Sequence, residues 1–479
     1  MSGDPTVETP TLYEVSEMSR DSGLVEERDT HLAVFLISLN GGFVIMSSPS
    51  RTGKDEVVDA AEFIRPGNDI AKIPSSTSKT VLYERADELN EADVHRYPDI
   101  TDLDEHIETL LKDNGDDRPS SHEFTDVSGE ERSTVEQTIE PPNSMILFVA
   151  SDNQNVDLND YPEIRNRAII LSCDASAETT KKIKERQAEM EVGTYDYRTT
   201  EKRRKEIRQY VSQIPVDLYT DDDSLGEVWN LTHQALADEN PLPDLFPESR
   251  MDFARFNRFV KAVTMFKFGD RVEIGSDNRD AVASLLTTPT DLWLAWKVFG
   301  EKMVLSALNL RDMDFEVLDM LRNSAQSMSV GEVMNEMRRR GTNPSDNQIR
   351  GALEGMLDKG YVINDQGANR VKYQPSPFAT PDKVSKDITM DFQNVVDQTK
   401  QSARQVLEPD VADEYISQFC EGSGLIATHP LKGGQHNITE TGFMDEVSER
   451  EDDEEQKIND TNPYDDDNDD GTLQGTIGG

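Results

Sequence analysis

Cysteine is nearly absent: Cys173 and Cys420 are the only two among 479 residues. They stand far apart and without metal-ligand spacing. That excludes a disulfide framework and favours a reducing, cytosolic setting. Basic residues are scarce too, 49 Lys and Arg against 94 Asp and Glu, for a net charge of -45. Long hydrophobic runs are missing. The longest, Leu32 to Leu39 with one serine, is far too short to span a bilayer, and no N-terminal segment joins basic residues to an apolar stretch. A soluble intracellular protein with no membrane span, cytoplasmic in its host, is therefore expected. There is no Cys/His cluster, no Gly-x-Ser-x-Gly turn and no dinucleotide fingerprint.

What is present argues for folding. Apolar residues make up 35% of the chain, and runs such as "HLAVFLISLNGGFVIM" and "NSMILFVAS" are foreign to a disordered polyanion. Acids on nearly every predicted surface fit a protein kept soluble in concentrated salt, as in halophiles; the alternative is an ordinary acidic protein with an acidic tail. Residues 1–29 read as a flexible N-terminus. From 30 to 195, apolar strands alternate with helices. Strands are expected at 43–46, 79–83, 144–151 and 167–172, and helices at 54–64, 103–111 and 177–191. That alternation implies a mostly parallel sheet covered on both faces. The stretch 196–312 has helical periodicity almost throughout.

Residues 313–378 carry clear punctuation. Three short helices are followed by a hairpin, and two of them open on capping boxes, Ser329/Glu332 and Ser345/Gln348. This is a winged helix-turn-helix pattern. Its third helix would present Ser345, Asn347, Gln348 and Arg350 to a major groove, with Arg340 at the end of helix two and Asn369, Arg370 and Lys372 on the wing. The unit holds eight Lys/Arg and nine Asp/Glu, near neutral in a chain of such acidity. DNA is the expected partner, and protein contact the alternative. The run "RTTEKRRKEIR" (198–208) could touch nucleic acid or form a solvated basic helix. A helical extension (379–425) leads into an acidic tail (426–479) expected to be disordered and able to bind a protein partner.

The segment "MSSPSRTGKDEVV" (46–58) resembles a phosphate-binding loop: an expected strand, a polar turn, Gly53-Lys54, then a helix. The loop of Ser48, Pro49, Ser50, Arg51, Thr52, Gly53, Lys54 and Asp55 would wrap a triphosphate with its backbone N–H groups, of which Pro49 has none, and Lys54 would reach the oxygens. A chance Gly-Lys in a polar loop is the rival reading. Two letters depart from the pattern. Ser48 replaces a glycine, and Asp55 replaces the hydroxyl residue that binds magnesium. A carboxylate there can ligate the metal but also repels phosphate. A hydrolytic site further needs an acid on a neighbouring strand. Asp99, ending "ADVHRYPD", is the candidate for catalysis and for metal; Glu84, or Asp87 and Glu88, after "KTVLY" are rivals.

"ILFVASDNQ" places Asn153 at the end of a buried strand, and "PEIRNRAIILS" places Arg165 and Arg167 before another. This order of parts resembles the AAA+ ATPases, more narrowly MCM-like helicases and the helicase-type ATPases of archaeal plasmids and viruses, including those of haloarchaeal pleolipoviruses. The resemblance implies an α/β P-loop NTPase fold with a mostly parallel sheet, followed by an all-α lid and the winged helix. It also implies ATP and Mg2+ as cofactors and a homo-oligomer, with a ring as one form it can take. Lys54 and Asp99 would then be catalytic, Asn153 would orient water, and Arg167 (or Arg165) would reach a neighbour's nucleotide. Arg250 or Arg255 would serve from the lid. The implied activity is ATP hydrolysis, extending to helicase-like action on DNA in replication or maintenance of an archaeal virus, provirus or plasmid. A degenerate loop serving a DNA-binding regulator, and a genome-packaging ATPase associated with the virion, are the alternatives.

Overall fold

The computed structural model describes residues 8–441 apart from 23, 41, 51, 66–69, 75–77, 100–104, 127–132, 151–160, 175, 215–227, 240, 244, 246–248, 272, 275–283, 325, 343, 365–370, 382, 386–389 and 421–424. The chain opens with helices α1 (Leu12–Ser22) and α2 (Arg28–Leu39), and α3 (Lys54–Ile64) follows the first strand. Strands β1 (Gly42–Ser48), β2 (Ile70–Lys72), β3 (Val94–Asp99), β6 (Ser144–Ala150) and β7 (Ile169–Leu171) make one sheet in the order β2-β3-β6-β1-β7. Every neighbouring pair in it is parallel. Between β3 and β6 in sequence, β4 (Ser120–Asp126) and β5 (Ser133–Ile139) pair antiparallel outside that sheet.

A parallel sheet needs both faces covered, and the side-chain alternation supplies two apolar faces. On one, Val44, Met46, Ile146, Phe148, Ile169 and Leu171 join Val57, Val58, Ala61 and Ile64 of α3 and the residues of α2. On the other, Phe43, Ile45, Met145, Leu147 and Val149 meet Ile107, Leu110 and Leu111 of the helix Glu105–Gly115. Because α2 is buried from Thr30 to Leu39, it needs apolar partners all round. The helices Ser249–Phe266 and Pro289–Ala307 provide the outer side. Phe35 of α2 meets Phe266 edge-on, ring centres 5.9 Å apart.

Four expectations change. Residues 79–83 form a helix, Lys79–Glu84, rather than a strand. Ser78 caps it by accepting the Val81 N–H, and Leu82 and Tyr83 supply a buried face that overrides the β propensity of Thr80-Val81. The N-terminus to residue 29 is not loose over its described part: α1 buries Leu12, Val15 and Met18. The region 196–312 is not wholly helical, since β8 (Val228–Trp229), β9 (Glu273–Ile274) and β10 (Ser284–Leu286) form a small sheet ordered β8-β10-β9.

Over 312–375, the helices Asp312–Asn323, Val330–Arg339 and Asp346–Asp358 precede an antiparallel pair, β11 (Val362–Asn364) and β12 (Tyr373–Pro375). Both capping boxes are formed, and Met328 bridges Tyr373 as a third, one-residue strand. The fourth change lies at the far end, where the expected tail does not begin at 426. Here β13 (Ile426–Thr428) and β14 (Gln435–Asn437) pair, and His429 and His436 set their rings 5.8 and 6.1 Å from Trp293. One apolar cluster runs from Leu12 to Ile438.

Candidate functional site

The loop between β1 and α3 sits at the carboxyl edge of the parallel sheet, where open α/β sheets leave a crevice for ligands. Ser48 is buried and its hydroxyl accepts the Cys173 N–H at 2.7 Å, which ties the loop to the end of β7. Thr52 Oγ1 donates to the Pro49 carbonyl at 2.8 Å, closing the turn on itself. Pro49 and Ser50 continue the loop; Arg51 lies outside the described residues. Gly53 takes φ 88° and ψ 16°, a left-handed conformation that costs other residues on the order of 1 kcal/mol. Among the described residues a Cβ there would meet only Glu56 Oε2, at 3.7 Å, so the positive φ is what demands glycine. The N-cap residue Gly53 has no side chain to cap α3, and the first-turn N–H groups of a helix have no intrahelical partner and lie at the positive end of its dipole.

Lys54 opens that helix, 8% exposed, with Nζ 3.3 Å from Asp99 Oδ2. The pairing depends on an irregularity in β3. Arg96 is in register with Ile146 but Asp99 with Phe148, so β3 carries one residue more than β6 between these points. Without that bulge, strand alternation would send Asp99 to the sheet face of His95 and Tyr97; with it, Asp99 shares the α3 face with Arg96. Glu84, the rival acid, belongs to a helix and ends no strand.

Asp55 does not turn to Lys54. Its carboxylate lies 3.0 Å from Arg96, which also holds Asp59 at 2.6 Å and Glu62 at 3.1 Å. Among the described residues no group of three or more His, Cys, Asp and Glu stands ready to hold a metal ion. Magnesium commonly takes one or two carboxylates and fills its shell from water and phosphate oxygens. Asp99, about one-third exposed at the sheet edge, fits that limited role; Asp55 is committed to Arg96.

Asn153 lies outside the described residues. Arg167 and Arg165 precede β7, and Val44 of β1 is beside Ile169. They therefore occupy the amino edge of the sheet, opposite Lys54, and cannot serve the loop of their own chain. Arg167 lies across Gly115 and donates Nη2 to Asp116 Oδ2 at 2.8 Å and Nη1 to the Glu163 carbonyl at 2.6 Å. Arg165 donates to the Asn309 side chain. Arg255 is engaged by Asp252 and the Asn166 carbonyl, whereas Arg250 is exposed.

Sequence reasoning missed a group behind Ser48. Glu27 is buried and accepts the Asp174 N–H; burial, with Asp29 and Asp174 nearby, pushes its carboxyl up to about 7. Burial likewise pushes the Cys173 thiol up to about 12, aided by Glu27, so this cysteine is no nucleophile. Only an N-cap-like Glu before a helical run signals Glu27 in the sequence. Neither a cleft of about 540 Å³ beside Trp229 and His233 nor one of about 280 Å³ between Leu24 and Arg186 is lined by loop residues.

In the unit 312–375 the expected base-reading residues are partly spent. Gln348 Oε1 accepts the Ser345 N–H at 2.8 Å, Arg350 pairs with Asp346 at 2.7 Å, and Lys372 with Glu332 at 3.3 Å. Arg340 is near Glu336 at 3.9 Å, Asn347 is exposed, and Arg370 lies outside the described residues. The basic helix Glu201–Val211 divides its cations: Arg203 binds Glu14 and Arg204 binds Asp21 of α1, while Lys202, Lys205 and Arg208 are exposed.

No protein-family model and no curated protein matches the sequence. Among solved structures, the chain is similar to an ATPase candidate from Cytophaga hutchinsonii, at 11% identity and TM-score 0.32, over 59% of this chain and 84% of that one. It is also similar to NtrX from Brucella abortus. With the ADP complex the identity is 12% and the TM-score 0.25, over 44% of this chain and 56% of that one. With the ATP complex the TM-score is 0.22, over 55% and 64%. Likenesses at these TM-scores carry no weight, and the class defined here, an α/β protein built on a parallel sheet, rests on the sheet itself. Among the described residues no helix is long and apolar enough to cross a membrane.

Proposed function

We propose that this protein binds ATP at the loop 48–55 and hydrolyses it as an AAA+-type ATPase. The observation that carries the reading is the meeting of Lys54 and Asp99 at the carboxyl edge of a parallel sheet, beside the N-terminus of α3. Two sequence-distant groups of opposite charge are aimed at one spot, one by a left-handed glycine and the other by a bulge. In the sheet, β6, after which Asn153 follows in the sequence, lies between the loop strand and the acid-bearing strand.

ATP fits the residues present. First-turn amides of α3 would receive phosphate oxygens and Lys54 would neutralise them. Magnesium would supply Lewis-acid stabilisation of charge building on the transferred phosphoryl group. Asp99 would accept a proton from the attacking water or hold the metal, and Asn153 would orient that water. Arg167, on the opposite sheet edge, would act on the nucleotide of an adjacent copy, so activity would require a homo-oligomer. The unit 313–378 would act as a winged helix on DNA, through Asn347, Arg350, Arg340, Lys372 and Arg370. Replication or maintenance of an archaeal virus, provirus or plasmid is the setting this combination serves.

A second reading, a nucleotide-responsive switch that does not turn over, is favoured by Asp55 and Glu56 in the first turn of α3, where carboxylates compete with phosphate. Steady-state ATP turnover, with and without DNA, for the wild type and Lys54→Ala, separates the two. Turnover in the wild type that collapses in the variant supports the enzyme. Equal rates in both leave only the switch.

A further inference from the structure

The loop departs from the usual pattern at Asp55, and the structure pairs that departure with Arg96. Asp55, Asp59 and Glu62 lie at i, i+4 and i+7 of α3, one stripe on the helix surface. Alone, three carboxylates so placed repel one another and leave Asp55 to turn over the first-turn amides. Arg96 projects from β3 into this stripe. Its side chain is 11% exposed, with contacts of 3.0, 2.6 and 3.1 Å to the three acids and the guanidinium carbon 5.0 Å from the centre of the Phe148 ring. Two ion pairs thus run side by side between α3 and β3, Lys54 to Asp99 and Asp55 to Arg96. The Asp55 carboxylate is drawn toward the strand, while Lys54 keeps its place at the helix start.

We infer that Arg96 is a positioning residue for triphosphate binding: it holds and neutralises Asp55 so that a loop bearing a carboxylate at this position still accepts a polyanion. The inference rests on the ATP-binding reading above and names the residue that makes it electrostatically possible. Arg96 acts through Asp55 and touches no ligand. A permanently charged, largely buried guanidinium suits the task, since it stays ionised and reaches Asp55 through Nη2 while Nη1 holds Asp59 and Glu62.

The test measures affinity for a fluorescent ATP analogue in moderate salt, with and without magnesium. The proteins are the wild type, Lys54→Ala, Arg96→Met, Arg96→Lys and the double variant Arg96→Met/Asp55→Thr, each checked for cooperative thermal unfolding. Releasing one unit of negative charge near the phosphates predicts roughly tenfold weaker binding for Arg96→Met, with the larger loss when magnesium is absent. Arg96→Lys keeps the cation but cannot bridge all three acids, so its affinity should fall between those of the wild type and Arg96→Met, and the effect can be read even if the methionine variant folds poorly. The decisive comparison is the double variant. Recovery of affinity when Asp55 is also removed is expected, and a merely structural arginine would not produce it. If Arg96→Met binds like the wild type, or the double variant stays as weak as the single one, the inference is overturned while the ATP-binding reading stands. If the wild type shows no Lys54-dependent binding, both fall.

Discussion

Replacing Asp99 by asparagine separates what this acid does for stability from what it does for chemistry. In the free protein its carboxylate sits 3.3 Å from Lys54 Nζ and is about one-third exposed. Lys54 is buried and only Asp99 is partly open to solvent, so Asp99→Asn, which leaves that ammonium facing a neutral amide, should cost on the order of 1–2 kcal/mol in unfolding. Nucleotide changes the balance. A carboxylate roughly 5 Å from a phosphate oxygen, at an effective dielectric near 40, repels it by about 1.7 kcal/mol. Without magnesium the variant should therefore bind ATP about tenfold more tightly. Loss of a proton acceptor or metal ligand at the attacking water should at the same time lower turnover by about 10²–10⁴-fold. Isothermal titration in chelator and a phosphate-release assay with magnesium read the two effects. Turnover within threefold of the wild type (roughly 0.7 kcal/mol in barrier) would refute the assignment, even if binding tightened as expected.

Gly53→Ala should cost on the order of 1 kcal/mol in thermal or denaturant unfolding through its φ of 88° alone; no loss would mean the loop relaxes freely. Glu27 gives a pH signature. Its folded carboxyl is raised to about 7 from 4.5, so the stability it contributes is full below pH 4.5 and is lost as pH rises through 7. Glu27→Gln keeps an acceptor for the Asp174 N–H and removes that loss. Its advantage over the wild type should grow across this window to on the order of 2 kcal/mol at pH 8, and a gap independent of pH would contradict the burial argument. Arg167→Ala should leave equilibrium ATP binding unchanged and, by losing a two-point pair with Asp116, lower stability by on the order of 1–2 kcal/mol. Turnover of the assembled protein should fall roughly a thousandfold, and undiminished turnover would remove the arginine from the reaction.

The parts legible in the sequence are those whose signal is local. Strands β1 and β6 announce themselves as apolar runs because they are buried on both faces, and the capping boxes at Ser329 and Ser345 appear where their spacing places them. Tertiary context hid the rest. Strand β3 looks weak because Arg96 and Asp99 interrupt it, and those interruptions face the helix that carries the phosphate loop. The Thr80-Val81 pair suggests a strand until the Ser78 cap and the buried Leu82 and Tyr83 are seen. Helix α1 looks polar because its acids Glu14, Glu17 and Asp21 are paired with arginines from elsewhere, including Arg203 and Arg204 of the basic run. Lone charges in the sequence become ion pairs only in three dimensions. Asp55 illustrates the limit: read alone it argues against phosphate, and only its distance to Arg96 changes that.

The most direct measurement is equilibrium binding of ATP to the purified full chain and to Lys54→Ala. Capture of triphosphate at the start of α3 predicts saturable binding by the wild type, weakened at least about tenfold when the lysine is removed. Absence of binding with magnesium present, or equal affinity in the two proteins, would contradict it.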